Sequence, residues 1–183
     1  SDQTIGILYE QFPEVHIIQN KSNKGFGAAN NQGTKVAKGE YLFFLNPDTE
    51  LLNDVIQRFV NQSLGTSHLV LGGNLVDAFG NCVFSFGNLP TVKQQIFDLG
   101  LNRLFPKYYL RKLAPALSVS SNAPIQEVGY VCGANLFVEK RLFDSVGGFD
   151  EMFFMYWEEV DLCKRITCAV RSRTKSGMTC GVR

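Results

Sequence analysis

Apolar positions in the first quarter of the chain alternate between helical and extended spacing. Residues 5–12 place apolar side chains at helical intervals, and Pro13 directly after them predicts where that helix ends. Residues 15–18 form a short β-branched run that predicts a strand, and helical spacing returns over residues 26–37. The apolar run at 41–45 shows no alternation, which is typical of a strand buried on both faces of a parallel sheet. The order helix, strand, helix, strand predicts βαβ construction.

The middle of the chain predicts three further elements before the pattern weakens. Residues 51–60 are expected to form a helix, and residues 69–71 a third buried strand. Residues 74–84 contain two short apolar runs around a turn-forming cluster, which predicts an antiparallel hairpin. Between residues 99 and 126 prolines interrupt a mixture of basic and aromatic residues, so we expect a mobile or interfacial segment there.

The last third of the chain predicts more ordered structure and then a tail. Residues 128–138 are expected to be extended, residues 141–145 to form a short helix, and residues 157–166 to form the final helix. Residues 167–183 show no apolar period. The predicted division is therefore one domain over 1–166 and an unstructured or aberrant tail over 167–183.

The composition is that of a folded globular protein. Of the 183 residues, 45% are hydrophobic and 12% aromatic, which excludes disordered and fibrous classes and allows a sizeable core. The formal net charge of +1 argues against a general nucleic-acid binder. The five cysteines form no C-x-x-C pair, which argues against a disulfide framework and a zinc site and favours a reducing, cytoplasmic compartment. We expect neither a membrane span nor a signal peptide.

The first candidate site follows the apolar run at 41–45. Asn46, Pro47 and Asp48 come directly after this predicted strand, at the end where α/β sheets bind ligands. Mg²⁺ and Mn²⁺ take hard oxygen ligands such as the Asp48 carboxylate and share them with substrate phosphates. The alternative is an Asx turn in which Asn46 and Asp48 only cap the next helix.

The second candidate is a glycine-containing stretch that leads into the second predicted helix. Gly25, Gly27 and Gly33 belong to it, and glycines at such a place let backbone N–H groups approach a phosphate. The stretch departs from G-x-G-x-x-G because Asn30 stands at the third glycine position. The alternative is that the glycines only permit close helix packing, although the polar Asn30 and Asn31 favour ligand contact.

The third candidate is a group of carboxylates at the start of the final helix. Helical geometry predicts that Glu159 faces the interior, whereas Asp161 lies outside and can pair with Arg165. Partial burial raises the pKa of a carboxyl and a helix N-terminus lowers it, while a general base needs only to be ionised and within reach. The alternative is that Glu158, Glu159 and Asp161 simply complement the helix dipole.

The fourth candidate combines small and aromatic residues. Gly133 and Ala134 follow a predicted strand, and Tyr156 and Trp157 precede the final helix. Aromatic faces pack well on the apolar face of a sugar ring, so this combination predicts a sugar-sized cleft. The alternative is core packing, which we expect for the two phenylalanines at 153–154.

Taken in chain order, these motifs resemble those of the family 2 glycosyltransferases, in particular their rhamnosyltransferase-like branch. The stretches that carry the resemblance are 23–33, 37–48, 133–134, 146–151 and 158–165. The resemblance implies a GT-A (Rossmann-like) α/β fold with a mixed, mainly parallel sheet flanked by helices. It also implies a nucleotide-diphosphate-sugar donor, a divalent metal (Mg²⁺ or Mn²⁺) and inversion at the anomeric carbon.

The resemblance implies roles for individual residues. The implied donor-binding set is Lys24, Gly25, Asn31, Gly33, Asn46 and Asp48. Asp48 is also the implied metal ligand. Glu158 and Glu159 match the family's Glu-Asp pair, which makes Glu159 the implied base, with Glu where Asp is more usual. Gly133 and Ala134 match the small-residue loop beneath the donor sugar and the acceptor.

The chain departs from the family pattern at both ends. It begins within what resembles the helix after the first strand, so we expect the first strand of the fold to be missing. Residues 167–183 match nothing in the family, so a fragment or an aberrantly ended gene product is expected.

The expected reaction is an in-line transfer of a sugar, rhamnose being one candidate, to a glycan or lipid-linked acceptor in cell-surface polysaccharide synthesis. The alternative is a non-catalytic nucleotide-sugar or glycan-binding module of the same fold. The basic and aromatic segment at 101–113 is either a solvated linker or a peripheral contact with a membrane surface, at its inner face. No nucleic-acid partner is expected.

Overall fold

The computed structural model describes residues 3–64, 70–92, 96, 99–100, 102–104 and 125–175. Its helices are α1 (Thr4–Gln11), α2 (Phe26–Val36), α3 (Val55–Ser63), α4 (Asn102–Leu104), α5 (Lys140–Ser145) and α6 (Glu158–Lys175). Its strands are β1 (Tyr41–Leu45), β2 (Val70–Gly72), β3 (Phe86–Gly87), β4 (Tyr130–Val131) and β5 (Asn135–Glu139). Within these described ranges, no helix is long and apolar enough to cross a membrane.

The larger sheet has β5 at its centre, with β1 on one side and β2 on the other. Both pairings are antiparallel, with Phe44 opposite Leu136 and Leu71 opposite Phe137. The strands β1 and β2 therefore run in the same direction, but β5 separates them. β3 and β4 form a second antiparallel pair. The described strand pairs thus differ from the mainly parallel sheet that the apolar runs predicted, because a buried run carries no information about strand direction.

Aromatic side chains pack on both faces of the larger sheet. On one face Phe44, Phe143 and Phe149 form a triangle with ring centroids 5.0–5.4 Å apart. On the other face Phe59 of α3 packs on Phe137, with centroids 5.3 Å apart. Buried and half-buried residues alternate along β1 up to the exposed Leu45, so the strand is less enclosed than its unbroken apolar run predicted.

The chain order of the other elements follows the sequence pattern with shifts at the ends. The predicted hairpin at 74–84 is confirmed, since Val76 and Cys82 form an antiparallel bridge. Helix α3 begins at Val55 rather than near residue 51, because the Asp54 side chain caps it by accepting a hydrogen bond from the Gln57 N–H at 3.3 Å.

Two predictions differ more from the structure. Residues 15–18 form no strand, since no described strand pairs with them, and Val15 and Ile18 are exposed. Helix α6 continues to Lys175 instead of ending at residue 166, so the first nine residues of the predicted tail are helical. The division into a domain and a tail stays a prediction. Of the segment at 101–113, only residues 102–104 lie within the described residues.

Candidate active site

The carboxyl end of β1 meets the loop that precedes β5. The Asn46 backbone N–H donates a hydrogen bond to the Ala134 carbonyl at 3.1 Å, and the Thr49 N–H donates to the Asn46 carbonyl at 3.1 Å. These bonds hold residues 46–49 in a turn beside the small-residue loop. The Asp48 side chain is exposed on that turn. Two stretches that are almost ninety residues apart in sequence are therefore neighbours.

Gly133 lies between α2 and α6. A Cβ atom at this position would be 3.2 Å from the Phe26 ring and 3.9 Å from the Glu159 Cβ. The glycine therefore lets the loop approach both helices closely, and an added side chain would require the Phe26 ring to shift. The loop consequently brings Ala134, next to Asn46, and the start of α6 to one edge of the sheet.

The two glutamates at the start of α6 occupy different environments. Glu158 is buried, with 6% of its surface exposed, and its Oε2 atom has no hydrogen-bond partner within the described part of the chain. Glu159 is half-buried. Asp161 forms an ion pair with Arg165, with 2.6 Å between Oδ2 and Nε, which confirms the predicted pair, although the Asp161 side chain is half-buried and not outside as predicted. Burying a carboxylate oxygen that accepts no hydrogen bond destabilises the folded state. The burial of Glu158 is therefore more unusual than that of Glu159.

Burial controls the electrostatics of this cluster. It raises the pKa of the Glu159 carboxyl, the backbone hydrogen bond at the helix start opposes the rise, and the Glu158 charge adds to it. Burial also raises the pKa of Tyr130, of Cys132 and, to about 11, of Cys163; the negative charge of Glu159 adds to each of these shifts. Burial therefore outweighs the helix terminus in its effect on the pKa of Glu159.

The backbone before α6 is strained. Tyr156 and Trp157 have φ angles of 69° and 76°, and they are the non-glycine residues with positive φ in the part of the chain that the structure describes. Two consecutive left-handed aromatic residues are uncommon, and such strain concentrates at functional sites. Both side chains are exposed, as expected for cleft residues. Phe154 is 53% exposed, so the expectation that it belongs to the core is wrong.

The donor-side loop reaches the same region through Gly25. This residue has φ 84°, and a Cβ atom on it would overlap the Phe154 carbonyl oxygen and approach the Phe154 ring at 3.1 Å. The Asn23 Oδ1 atom accepts a hydrogen bond from the Gly25 N–H at 2.9 Å. Lys24 is exposed beside this contact. Lys24 and Gly25 are therefore next to the segment that leads into α6.

Two predicted donor-binding residues lie elsewhere. Asn31 is buried, and its amide is bonded to Phe149 and Glu151, so its hydrogen bonds lie inside the protein and the donor contact stays a prediction. Gly33 lies eight residues beyond Gly25, about 12 Å along the helix at 1.5 Å per residue. A Cβ atom at Gly33 would meet nothing within 4 Å. The polar helix face that predicted ligand contact is thus partly a packing face.

Helical spacing already places Cys163 on the same face of the final helix as Glu159, but sequence reasoning missed two other neighbours of this carboxylate. Tyr130 and the Phe26 ring line its surroundings, directly or across Gly133. Each belongs to an apolar run or helical face that is equally typical of core packing. The periodicity could place them inside the protein but not beside a carboxylate.

Comparison with known proteins identifies the family. Residues 1–121 match the family described as glycosyl transferase family 2. The chain belongs to this family. Its members have the GT-A fold, a mixed α/β architecture with which the described helices and sheets agree. The family match includes Asn46 and Asp48 but ends before Gly133 and Glu159, so the second half of the candidate site stands on its geometry.

Three relatives are similar to most of this family 2 chain. The N-acetylglucosaminyl-diphospho-decaprenol L-rhamnosyltransferase of Mycobacterium tuberculosis is 26% identical over 185 residues, covering 91% of this chain and 57% of the relative. The rhamnosyltransferase WbbL of Escherichia coli is 27% identical, covering 79% and 55%. The low-salt glycan biosynthesis hexosyltransferase Agl10 of Haloferax volcanii is 24% identical, covering 83% and 46%. The chain spans about half the length of these relatives.

Family 2 glycosyltransferases generally use a divalent metal, and the residues at the β1 turn can be tested against that requirement. Within the described ranges, no group of three His, Cys, Asp or Glu side chains could hold a metal ion by itself. Asp48 offers a single exposed carboxylate at the end of β1. Mg²⁺ is usually held by one or two carboxylates together with substrate phosphates. The residues therefore fit a metal that protein and diphosphate hold jointly.

Proposed function

We propose that this chain carries the donor and base sites of an inverting, metal-dependent glycosyltransferase. The reaction moves a sugar from a nucleotide-diphosphate sugar to a glycan or lipid-linked acceptor in cell-surface polysaccharide synthesis. The observation that carries the proposal is the joining of two sites by one loop. The Ala134 carbonyl accepts a hydrogen bond from the Asn46 N–H, two residues before Asp48, and a Cβ atom on the adjacent Gly133 would lie 3.9 Å from the Glu159 Cβ.

The donor side is formed by Lys24, Gly25, Asn46 and Asp48. The exposed Lys24 ammonium can neutralise phosphate charge, and the turn at Asn46 presents the Asp48 carboxylate at the same sheet edge. A bound divalent ion, held by Asp48 and the diphosphate, would neutralise the charge that develops on the leaving group. Two relatives are named rhamnosyltransferases, which supports rhamnose as the sugar to test first.

Glu159 is the proposed general base. Its carboxylate accepts the proton of an acceptor hydroxyl, and the hydroxyl oxygen forms a bond to the anomeric carbon of the donor sugar. The bond between that carbon and the diphosphate breaks, and the nucleoside diphosphate leaves with the electron pair. Burial raises the pKa of Glu159, which strengthens it as a base. Attack opposite to the leaving group inverts the anomeric centre.

The acceptor side is formed by Gly133, Ala134, Tyr156 and Trp157. Gly133 lets its loop approach the start of α6 and Glu159 closely, and the exposed aromatic faces suit the apolar face of a sugar ring. The name of the mycobacterial relative contains a lipid-linked acceptor, which supports testing a polyprenyl diphosphate sugar. Such an acceptor would bring the protein to a membrane surface, and the segment at 101–113 stays a candidate for that contact.

Transfer to a lipid-linked acceptor tests the proposal. The full chain is incubated with Mn²⁺, an acceptor and a panel of uridine and thymidine diphosphate sugars, and labelled product is measured. We expect Glu159→Gln to lower the rate by about 10²–10⁴-fold, the usual contribution of a general base. The matched control is Asp161→Asn, which changes the carboxylate paired with Arg165 in the same helical turn and should leave the rate unchanged.

Two outcomes would contradict the proposal. Wild-type transfer by Glu159→Gln would remove Glu159 as the base. Metal-dependent nucleotide binding without transfer by the wild-type chain would favour the non-catalytic binding module of the same fold.

A further inference from the structure

The Asn31 side chain makes three hydrogen bonds, all to groups of the protein itself. Its Nδ2 atom donates to the Phe149 carbonyl at 2.9 Å and to Glu151 Oε1 at 3.1 Å. Its Oδ1 atom accepts from the Phe149 N–H at 3.0 Å. Both backbone groups of Phe149 are therefore bonded to one amide, which lies 118 residues earlier in the sequence.

The segment that Asn31 holds leads directly to the base. Gly147 and Gly148, with φ 84° and 74°, turn the chain from α5 into Phe149. A Cβ atom on Gly148 would lie 2.7 Å from the Asn31 Oδ1, so the turn closes against the amide. From there the chain passes through the strained pair at 156–157 into Glu158 and Glu159 of α6.

Helix α2 contacts the same segment a second time, through its N-cap. Gly25 packs against the Phe154 carbonyl, whereas Asn31 is hydrogen-bonded to Phe149 almost two turns further along the helix. Met152, between these two contacts, and Met155, after them, are both exposed. The segment at 147–157 is therefore fixed to α2 at two points, and the exposed part lies between them and after them.

We propose that Asn31 is a positioning residue, which fixes the 147–157 segment on α2 and so sets the place of the Tyr156–Trp157 turn before Glu159. This inference rests on the proposed function for the role of Glu159 as base. The placement itself is independent of activity. An amide is required because it donates to a carbonyl and a carboxylate and accepts from an N–H at the same time. Neither an aspartate nor an alanine can do this.

The single tryptophan of the chain reports on this placement. Trp157 is the only tryptophan in the sequence, and it lies in the strained turn, half exposed. Asn31→Asp removes the two N–H donors and places a negative charge beside the Phe149 carbonyl and Glu151. We expect a red shift of Trp157 emission and a larger acrylamide quenching constant in the folded variant. Both are measured without denaturant, at a temperature well below the midpoint of thermal unfolding.

Asn30→Asp is the matched control, because it changes the neighbouring asparagine of the same helix. The Asn30 Nδ2 atom bonds only locally, to the Phe26 carbonyl at 3.0 Å. We expect this variant to retain the wild-type emission and quenching. Adding Glu151→Gln to Asn31→Asp reverses the donor and acceptor of that pair and should restore part of the Trp157 signal.

The result that would overturn the inference is a folded Asn31→Asp variant with unchanged Trp157 emission and quenching, even if its unfolding midpoint falls. If that variant does not fold, Glu151→Ala removes one of the three bonds and is measured instead. An intermediate change in Trp157 quenching supports the inference, and no change overturns it. Because none of these signals requires transfer, they can fail while the proposed activity holds, and the reverse is also possible.

Discussion

The connection between α5 and α6 consists of two halves with opposite character. In the first half, residues 147–151, glycines supply the left-handed backbone and Phe149 is buried, with its backbone bonded to Asn31. In the second half, residues 152–157, two aromatic residues adopt the left-handed backbone and most side chains are exposed. Only in the first half is the left-handed backbone formed by glycines, the residues that adopt it without strain.

The two halves therefore contribute differently to the stability of the fold. Glycines and a saturated amide are what a stable turn requires. Exposed aromatic residues in strained conformations contribute little to stability, and surrounding structure has to maintain them. We infer that the hydrogen bonds and glycine turn of the first half hold the second half, next to Glu159, in its strained conformation.

The largest expected difference between the halves is in core packing. Phe149→Ala should destabilise the protein by about 3–5 kcal/mol, because the ring is 2% exposed and contacts Phe44 and Phe143. Phe154→Ala should cost less than about 1 kcal/mol because half of its side chain is exposed. Urea unfolding of both variants measures the difference, and equal losses would show that the second half is also core.

The two glycines of the first half should differ from each other. Gly147→Ala meets nothing within 4 Å and should cost about 1 kcal/mol for the left-handed backbone alone. Gly148→Ala should cost about 3 kcal/mol, because its Cβ would also lie 2.7 Å from the Asn31 Oδ1 and 3.1 Å from the Phe143 ring. Unfolding free energies of the two variants check this order. The reverse order would mean that Asn31 does not close the turn.

In the second half, glycine should stabilise relative to alanine. At Tyr156 both substitutions remove the exposed ring, but only glycine relieves the φ of 69°. We expect Tyr156→Gly to be more stable than Tyr156→Ala by about 1 kcal/mol, the reverse of the usual order. A pair of urea titrations compares them directly. If alanine is the more stable, the turn is not strained in solution.

The smallest expected effect is on the pH dependence of stability. Because the folded-state pKa of Glu159 is raised, the folded protein binds more protons than the unfolded chain above the ordinary value of 4.5. Stability due to this group is therefore lost as pH rises from about 4.5 through the raised folded pKa. Glu159→Gln should remove that decline, whereas the exposed Glu50→Gln should retain it. Unfolding midpoints between pH 4 and pH 7 test this, and identical slopes in all three proteins would contradict it.

Periodicity was enough to predict most elements but not their directions or limits. The run at 41–45 is the strand β1, yet an apolar run is compatible with either strand direction, and β5 pairs with it antiparallel. Helix α6 continues past residue 166 as a largely polar helix, where Thr167 Oγ1 donates to the Cys163 carbonyl at 2.8 Å. A helix without an apolar stripe leaves little trace in the sequence pattern.

The order of motifs also predicts roles for Asp48, Gly133 and Glu159, and these roles stay predictions, but it could not predict the hydrogen bonds of Asn31. A polar residue on a helix face looks the same in sequence whether it binds a ligand or a distant backbone group. The Phe149 backbone is 118 residues away, and only the folded chain brings it to the Asn31 amide. The strain at Tyr156 and Trp157 was also unpredictable, because sequence signals for left-handed backbone are glycine and asparagine.

The central claim is that the turn after β1 and the start of α6 belong to one donor-binding glycosyltransferase site. Thermal unfolding with thymidine or uridine diphosphate, with and without Mn²⁺, tests it most directly, since a ligand that binds only the folded state raises the midpoint. We predict a Mn²⁺-dependent rise that Asp48→Asn abolishes and that Glu50→Gln, two residues away and also exposed, retains. A cooperative transition whose midpoint no nucleotide shifts, or an equal rise in Asp48→Asn, would contradict the claim.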